Sequence, residues 1–463
     1  MVEIPSMMRH VDQARLQVHS FFRRPTTSQL VVQWFVGLIL LGTVLLSLPV
    51  SHARGSISLL DAFFTATSAV CVTGLVTVDT GLDYSLTGQW VILGLIQFGG
   101  LGILTFLALA IRALGHRMDL QSQSAVEDSL FQKNVSEQFA DSFLRILQVV
   151  AIIELAGAAL LFLALLPSRS ITHSAYSALF HSVSAFCNAG FSIYSDSLEG
   201  LRGNPVFMSA IMVLIFTGGI GFVVLGELSQ ALRKWRHPHD PGLGRHRFSL
   251  HARVALKMSL GLIVAGAILM AFSGTGSGDP VDRVTDALFQ SVSARTAGFN
   301  SVPIGAMPLA SLFVLVILMF IGGSPGSCAG GIKTTTLAVW FSRFRATFRG
   351  SFRAHIEGRY IPEEIGRKVT MLIGLALCWN LLGVLVLSWT ERAPLDVLLF
   401  EQVSAFGTVG LSAGITPQLS FAGKLWIILT MFVGRLGPIT IAMSTVKPTK
   451  SNIQYPEGRV MIG

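Results

Sequence analysis

A cation that leaves water must find other oxygen ligands. Main-chain carbonyls supply them without adding charge, provided several point at one axis. Glycine reaches the backbone angles such pointing demands with the least strain. Four short stretches of this chain end on a glycine in nearly the same context. They read Thr67-Ser68-Ala69-Val70-Cys71-Val72-Thr73-Gly74-Leu75, Val183-Ser184-Ala185-Phe186-Cys187-Asn188-Ala189-Gly190-Phe191, Val292-Ser293-Ala294-Arg295-Thr296-Ala297-Gly298-Phe299 and Val403-Ser404-Ala405-Phe406-Gly407-Thr408-Val409-Gly410-Leu411. The glycines stand at 74, 190, 298 and 410, giving spacings of 116, 108 and 112. A recurring interval of this kind marks one structural unit used four times. Four such loops can close a ring, with a partly dehydrated cation held by Cys71 to Gly74, Cys187 to Gly190, Arg295 to Gly298 and Gly407 to Gly410.

Thr408-Val409-Gly410 is the copy nearest to the Thr-Val-Gly core of potassium-channel filters, so K⁺ is the cation expected at the four glycines. The other copies are degenerate, which carbonyl ligation tolerates because the side chains point away. A half-helix ahead of each loop would aim the negative end of its dipole at the cation. Ordinary glycine turns between helices are the bland alternative, and four matched contexts argue against them. The third copy is one residue shorter between its Ser-Ala and its glycine, so the ring is expected to depart from strict four-fold symmetry. Arg295 sits in that copy. It either lines the pore or, the favoured reading, turns outward to a carboxylate or helix end.

A second constellation interrupts the third repeat: Gly322-Gly323-Ser324-Pro325-Gly326-Ser327-Cys328-Ala329-Gly330-Gly331-Ile332-Lys333-Thr334-Thr335-Thr336. Five glycines and a proline cannot sustain a helix. The stretch should be an irregular loop inside the membrane, a barrier to ions just below the ring, rather than a simple kink; no such break is expected in the other second spans. Lys333 is an intramembrane cation and is functional or paired by default. Arg435 replaces the second glycine of a pair and could reach the pore at the level of this loop, with Glu154 or Glu401 as other partners. Asn380 reads as an interhelical hydrogen-bond group. Two catalytic motifs fail here. Gly322 to Gly326 fits the G-x-S-x-G pattern, with His173 or His181 as base, but lacks the strand-to-helix context. Gly326 to Lys333 resembles a phosphate loop, with one residue too many and no preceding strand.

The elements that must position these loops are legible in the composition. The chain has 463 residues, 51% hydrophobic and only 13% charged, as in a polytopic membrane protein. Eight apolar runs are long enough to cross a bilayer, at ~20 residues each: about 30–49, 89–109, 143–166, 205–225, 253–272, 309–323 continuing at 334–341, 369–389 and 425–443. Lys and Arg concentrate in the N-terminal segment, the loops 112–141, 233–253 and 343–368, and the C-terminal tail. By the positive-inside rule both termini are cytoplasmic. The net charge of +9 is thus a topology signal, and no nucleic-acid partner is expected. Val11–Phe22 reads as an interfacial helix or a frayed tail. Cys71, Cys187, Cys328 and Cys378 have no metal-ligand spacing and read as small buried residues.

Each repeat reads as span, half-helix, loop, span. The half-helices are expected at 58–69, 175–185, 284–294 and 395–405, runs too short to cross. The second spans carry Gly99-Gly100, Gly218-Gly219, Gly322-Gly323 and Gly434-Arg435 at matched offsets from the loop glycines, which would let helix backbones approach closely. The division is a cytoplasmic segment 1–29, repeats 30–117, 118–236, 237–345 (with the interrupted loop 322–336) and 346–447, and a tail 448–463. The fold class is all-α membrane protein: eight transmembrane helices plus four re-entrant pore helices around a pseudo-four-fold pore.

These residues resemble the Ktr/Trk/HKT superfamily of potassium transporters over nearly the whole chain, about 30–463. The resemblance is carried by the four Ser-Ala…Gly-[Leu/Phe] loops and the Gly/Ser/Thr-rich break in the third repeat. Only 29 mostly polar residues precede the first span, so the two extra N-terminal helices of the Trk branch have no room, and the Ktr branch is the nearer one. The resemblance implies a homodimer in the cell membrane with one pore per protomer and no enzyme activity. It implies a cytosolic ring of RCK-type regulatory subunits responding to ATP and ADP, and K⁺ uptake with Na⁺ as activator. Plant relatives with serine at the first filter position favour sodium, and Gly74 here points to potassium. The interrupted loop would be the gate under the ring's control. A rocking secondary transporter would instead show inverted repeats with paired broken helices.

Overall fold

The computed structural model describes residues 27–102, 139–236, 248–275, 279–351 and 353–437. Val11–Phe22, expected as an interfacial helix or a frayed tail, and the basic C-terminal tail lie outside them. Each repeat opens with a long helix: α1 (Thr27–Ser47), α4 (Phe139–Leu165), α8 (Leu250–Ser273) and α12 (Glu363–Thr390). The apolar stretches of these four are long enough to cross a membrane. Their outer faces stay apolar, as exposed Leu40, Leu41 and Val44 on α1 and Leu260, Val264 and Ile268 on α8 show. Lipid is the solvent such faces require, and a helix satisfies its own backbone there.

The half-helices follow: α2 (Leu59–Val70), α5 (Ile171–Phe186), α9 (Pro280–Ser293) and α13 (Leu395–Gly407). Ser58 caps α2 by accepting from the Asp61 N–H at 3.1 Å, and Asp279 caps α9 by accepting from Val281. Such caps satisfy donors that the first turn leaves open. The second helices are α3 (Leu86–Gly100), α6 (Pro205–Gly219), α10 (Leu309–Phe320) and α14 (Phe421–Leu436). All three helices of a repeat touch one another in every repeat. Between repeats a single rule holds: the second helix of one packs on the half-helix of the next. The contacts are α3 on α5, α6 on α9, α10 on α13, and α14 back on α2. The four repeats therefore close into a ring.

Close approach inside each repeat depends on first-helix glycines that the motif reading missed. A Cβ on Gly42 would meet Ala66, on Gly157 Ser182, on Gly266 Ser291 and on Gly383 Gln402. Each partner lies two residues before the Ser of its Ser-Ala pair. Ser182 and Ser291 use the proximity to donate to the Glu154 and Ile263 carbonyls at 2.6 and 2.7 Å.

Three expectations need correction. The break in the third second span is not unique. After Gly219 the chain turns by 109° into α7 (Phe222–Arg236). Gly221 takes the turn at φ +96°, a region costly to side-chain-bearing residues. Among the described residues Asn380 makes no interhelical bond but donates to Ala376 one turn back in α12, at 2.8 Å. Cys378 is exposed rather than buried, since it lies on the outward face of α12. Beyond the third break run α11 (Thr334–Phe348) and a hairpin, β1 (His355–Ile356) and β2 (Arg359–Tyr360). Glu357 and Gly358 turn it, both at positive φ, as a two-residue hairpin requires.

Candidate functional site

The four loops meet at their glycines. A Cβ on Gly74 would stand 2.5 Å from the Ala189 oxygen and 3.0 Å from the Gly190 Cα. On Gly190 it would stand 2.8 Å from the Ala297 oxygen, on Gly298 2.3 Å from the Val409 oxygen, and on Gly410 2.0 Å from the Thr73 oxygen. Each glycine thus abuts the carbonyl that precedes the next glycine, and the fourth copy closes on the first. No side chain fits at any of the four. The four φ angles are +92°, +69°, +79° and +96°.

Glycine is not the only unusual residue. Two positions earlier Val72, Asn188, Thr296 and Thr408 also have positive φ, at 57°, 57°, 70° and 47°. The residues between are not in that region. This alternation turns successive carbonyls to one side of the chain, and each left-handed non-glycine residue costs roughly 1–2 kcal/mol. The Ser of each Ser-Ala pair holds the turn. Ser184 donates to the Phe191 carbonyl at 2.7 Å, Ser404 to Leu411 at 2.6 Å, and Ser293 to Phe299. Ser68 and Ser404 accept from the Gly74 and Gly410 N–H groups at 3.0 and 3.2 Å. The missing residue of the third copy is absorbed between the end of α9 and Thr296, so Gly298 still abuts Val409 and Gly410.

The side chains two residues before the glycines turn away from the ring. The Asn188 amide donates to the Ile215 and Ala185 carbonyls at 3.1 and 3.0 Å. Thr296 lies by Gly322 and Thr408 by Gly330. Cys71 and Cys187 cap their half-helices. Arg295 also points outward, donating to the Ser259 carbonyl and hydroxyl and to the Gly322 carbonyl, each at 3.2 Å. Its partners are neutral oxygens rather than a carboxylate, because it lies against α8, which offers Ser259 there.

The glycine pairs now have a reason. A Cβ on Gly99 would sit 2.1 Å from the Val70 oxygen, on Gly218 1.7 Å from the Phe186 oxygen, and on Gly434 2.0 Å from the Phe406 oxygen. Each glycine admits the end of its own half-helix. In the third repeat Gly322 instead meets the Gly330 oxygen, at 2.0 Å. The interrupted loop has taken the place of the half-helix contact.

That loop, Gly322 to Thr334, touches all four repeats. Ser324 N–H donates to the Gly219 carbonyl at 2.9 Å, and the Gly326 carbonyl accepts from Phe222 N–H at 2.8 Å. Cys328 Sγ lies 3.7 Å from where a Cβ of Gly100 would be, and Gly331 packs on Gly407. Pro325 approaches Gly221. Within the loop Ser324 bonds Thr334 at 2.9 Å, Ser327 donates to Ser324, and Ala329 N–H donates to Ser327. Gly323 accepts from Thr334 N–H at 3.1 Å. Lys333 Nζ donates to the Ala329 carbonyl at 2.5 Å and so holds its own loop. Arg435 reaches in from α14. It donates to the Cys328 carbonyl and, at 2.7 and 3.1 Å, to the Gly99 and Gly100 carbonyls. Glu154 and Glu401 are not its partners: Gln97 holds Glu154 at 3.1 and 3.2 Å, and Ser412 and Thr416 donate to Glu401.

A closed ring of carbonyls, capped by half-helices and crossed by a glycine-rich loop, is the geometry of ion passage, and comparison with known proteins decides the family. The family model described as "Cation transport protein", TrkH, matches residues 6–455. The chain belongs to the TrkH cation transport family. It is 39% identical to Ktr system potassium uptake protein B of Bacillus subtilis, over 95% of this chain and 97% of that one. It is 35% identical to the potassium/sodium uptake protein NtpJ of Enterococcus hirae, over 95% and 98%. The potassium transporter TrkH from Vibrio parahaemolyticus superposes with a TM-score of 0.68 at 20% identity, over 89% of this chain and 84% of that one. The fold is that of a membrane transporter with four pore repeats, and the hydrolase and phosphate-loop readings of Gly322 to Lys333 fall away with it.

Proposed function

We propose that this protein is the K⁺-translocating membrane subunit of a Ktr-type uptake system. Relatives at 39% and 35% identity are a Ktr potassium uptake protein and a potassium/sodium uptake protein. The observation that carries the reading is the head-to-tail contact of Gly74, Gly190, Gly298 and Gly410. Carbonyls of Cys71 to Gly74, Cys187 to Gly190, Arg295 to Gly298 and Gly407 to Gly410 would replace the water of K⁺. The loop from Gly322 to Thr334 is the gate, held by Arg435 and Lys333. Repeats at 30–117, 118–236, 237–345 and 346–447 supply one loop each. The subunit acts as a homodimer in the cell membrane, with cytoplasmic termini, Na⁺ as activator and an RCK-type cytosolic ring that binds ATP or ADP. The Ktr and potassium/sodium names of the relatives support a partner subunit and a role for Na⁺, and the distribution of Lys and Arg supports cytoplasmic termini.

The test is radioactive rubidium uptake into potassium-starved cells that lack their own uptake systems. Uptake above the vector control, suppressed by excess K⁺ more than by Na⁺, is expected. No uptake from correctly inserted protein rejects the reading.

A further inference from the structure

The helix α7 does not continue the span that precedes it. It is turned by 109° from α6, and with α6 set along the membrane normal by its place in the repeat, such a turn lays α7 close to the bilayer plane. Its level is the cytoplasmic boundary, because Glu227 accepts from the Ser249 N–H at 2.8 Å, at the cytoplasmic start of α8. Its exposed large apolar residues form one stripe: Leu228, Leu232 and Trp235, at helical spacing i, i+4, i+7, are 40%, 52% and 80% exposed. Arg233, Lys234 and Arg236 flank the stripe in the last turn. An apolar stripe, a tryptophan and adjacent basic residues on a helix lying in the interface plane are the marks of a helix seated among lipid headgroups. The other end of α7 is fixed to the gate, through the Phe222 N–H on the Gly326 carbonyl and Gly221 against Pro325.

We infer that α7 is an anionic-phospholipid-binding helix of the cytoplasmic leaflet that couples headgroup composition to the loop Gly322 to Thr334. The coupling rests on the proposed role of that loop as gate; the lipid contact does not. The occupant is the bilayer rather than a protein, because the helix plane, the apolar stripe and the positive charge all match a negatively charged membrane surface. The anionic headgroups pair with exposed Arg233 and Arg236 while Leu228, Leu232 and Trp235 enter the acyl boundary. Losing that hold frees α7 to swing, and Phe222 carries the movement to Gly326.

Two measurements on the full-length protein in vesicles test this. In the first, tryptophan emission of wild type and Trp235→Phe is compared in phosphatidylcholine with or without lipid brominated near the headgroup. The emission lost in the variant should be quenched by brominated lipid and spared by aqueous iodide; the reverse pattern overturns the interfacial placement. In the second, rubidium flux is followed as phosphatidylglycerol replaces phosphatidylcholine. The double variant R233Q/R236Q should need about tenfold more anionic lipid for the wild-type response, because each lost cation weakens the attraction to the negative surface. A lipid response identical to wild type overturns the inference. A wild type that shows headgroup quenching yet no flux counts against the pore reading and leaves the lipid contact established by the first measurement.

Discussion

The guanidinium of Arg435 donates to the main-chain oxygen of Cys328, 107 positions away. With its other nitrogen it holds Gly99 and Gly100. One buried side chain thus fastens the interrupted loop of the third repeat to the second helices of the fourth and first. Leaving a buried carbonyl without its donor costs about 1–3 kcal/mol. Even 1 kcal/mol shifts a held-to-released ratio about fivefold. Arg435→Gln should therefore raise basal rubidium flux several-fold in vesicles. Arg435→Lys separates two roles, since it keeps the charge and loses the planar fork. If fastening is what restrains the loop, the lysine variant leaks like the glutamine variant. A lysine variant with wild-type flux would show that the charge alone resists the ion.

The loop itself gives the complementary prediction. Its contacts to Gly100, Gly219, Phe222 and Gly407 join it, from its own third repeat, to the other three. Deleting three or four residues within Ser324 to Gly331, while retaining Lys333 and Thr334, should raise basal flux beyond Arg435→Gln and make the effect of that substitution disappear in the combined variant. Unaltered flux in a deletion that purifies as a monodisperse protein would remove the loop from gating.

At the four ring glycines the steric account is direct. A Cβ there would lie within 2.0 to 2.8 Å of a neighbouring carbonyl oxygen, so that oxygen must move. Gly→Ser at 74, 190, 298 or 410 should lower discrimination of K⁺ over Na⁺ by about tenfold, or roughly 1.4 kcal/mol. Gly74 and Gly410 should be most sensitive, because their N–H groups are also bound by Ser68 and Ser404. The readout is rubidium uptake in competition with each ion. Unchanged preference in all four variants would refute ligation by these carbonyls.

The repeat, its glycines and the half-helices could be read from residues because they recur in register. The ring order could not, since nothing in the pattern says which loop abuts which. The left-handed turns at Val72, Thr296 and Thr408 were hidden for a physical reason: β-branched residues disfavour that region, and tertiary packing overrides the preference. The first-helix glycines Gly42, Gly157 and Gly266 stand 32, 33 and 32 residues before their loop glycines, a signal available but overlooked; Gly383 stands 27 before and blurs it. The turn into α7 was masked because 205–225 is apolar throughout, and apolarity alone does not distinguish a straight helix from one bent at Gly219-Ile220-Gly221. Arg435 stands out in the sequence because it replaces a glycine, but its partners lie up to 336 positions away.

The hairpin that follows α11 is tied to α8 by charge. Glu357 pairs with Lys257 at 2.5 Å and with Arg253 at 3.0 Å. The Lys257 hydrogen bond, with the charges of Arg253 and Lys257, holds the Glu357 carboxyl below the ordinary glutamate value of 4.5. A depressed folded value means that the pairing contributes fully above the unfolded value and is lost as pH falls through the folded one. The tie should therefore fail as pH is lowered from about 5 through the folded value, which lies below 4.5. Amide exchange in His355 to Tyr360 should rise over that window in wild type, after correction for the intrinsic pH dependence of exchange. Glu357→Gln should show the faster exchange already at neutral pH and no further change. Salt should mimic acid, because exposed pairs are screened. Equal protection of the hairpin at both pH values in wild type would mean that contacts other than Glu357 hold it to α8.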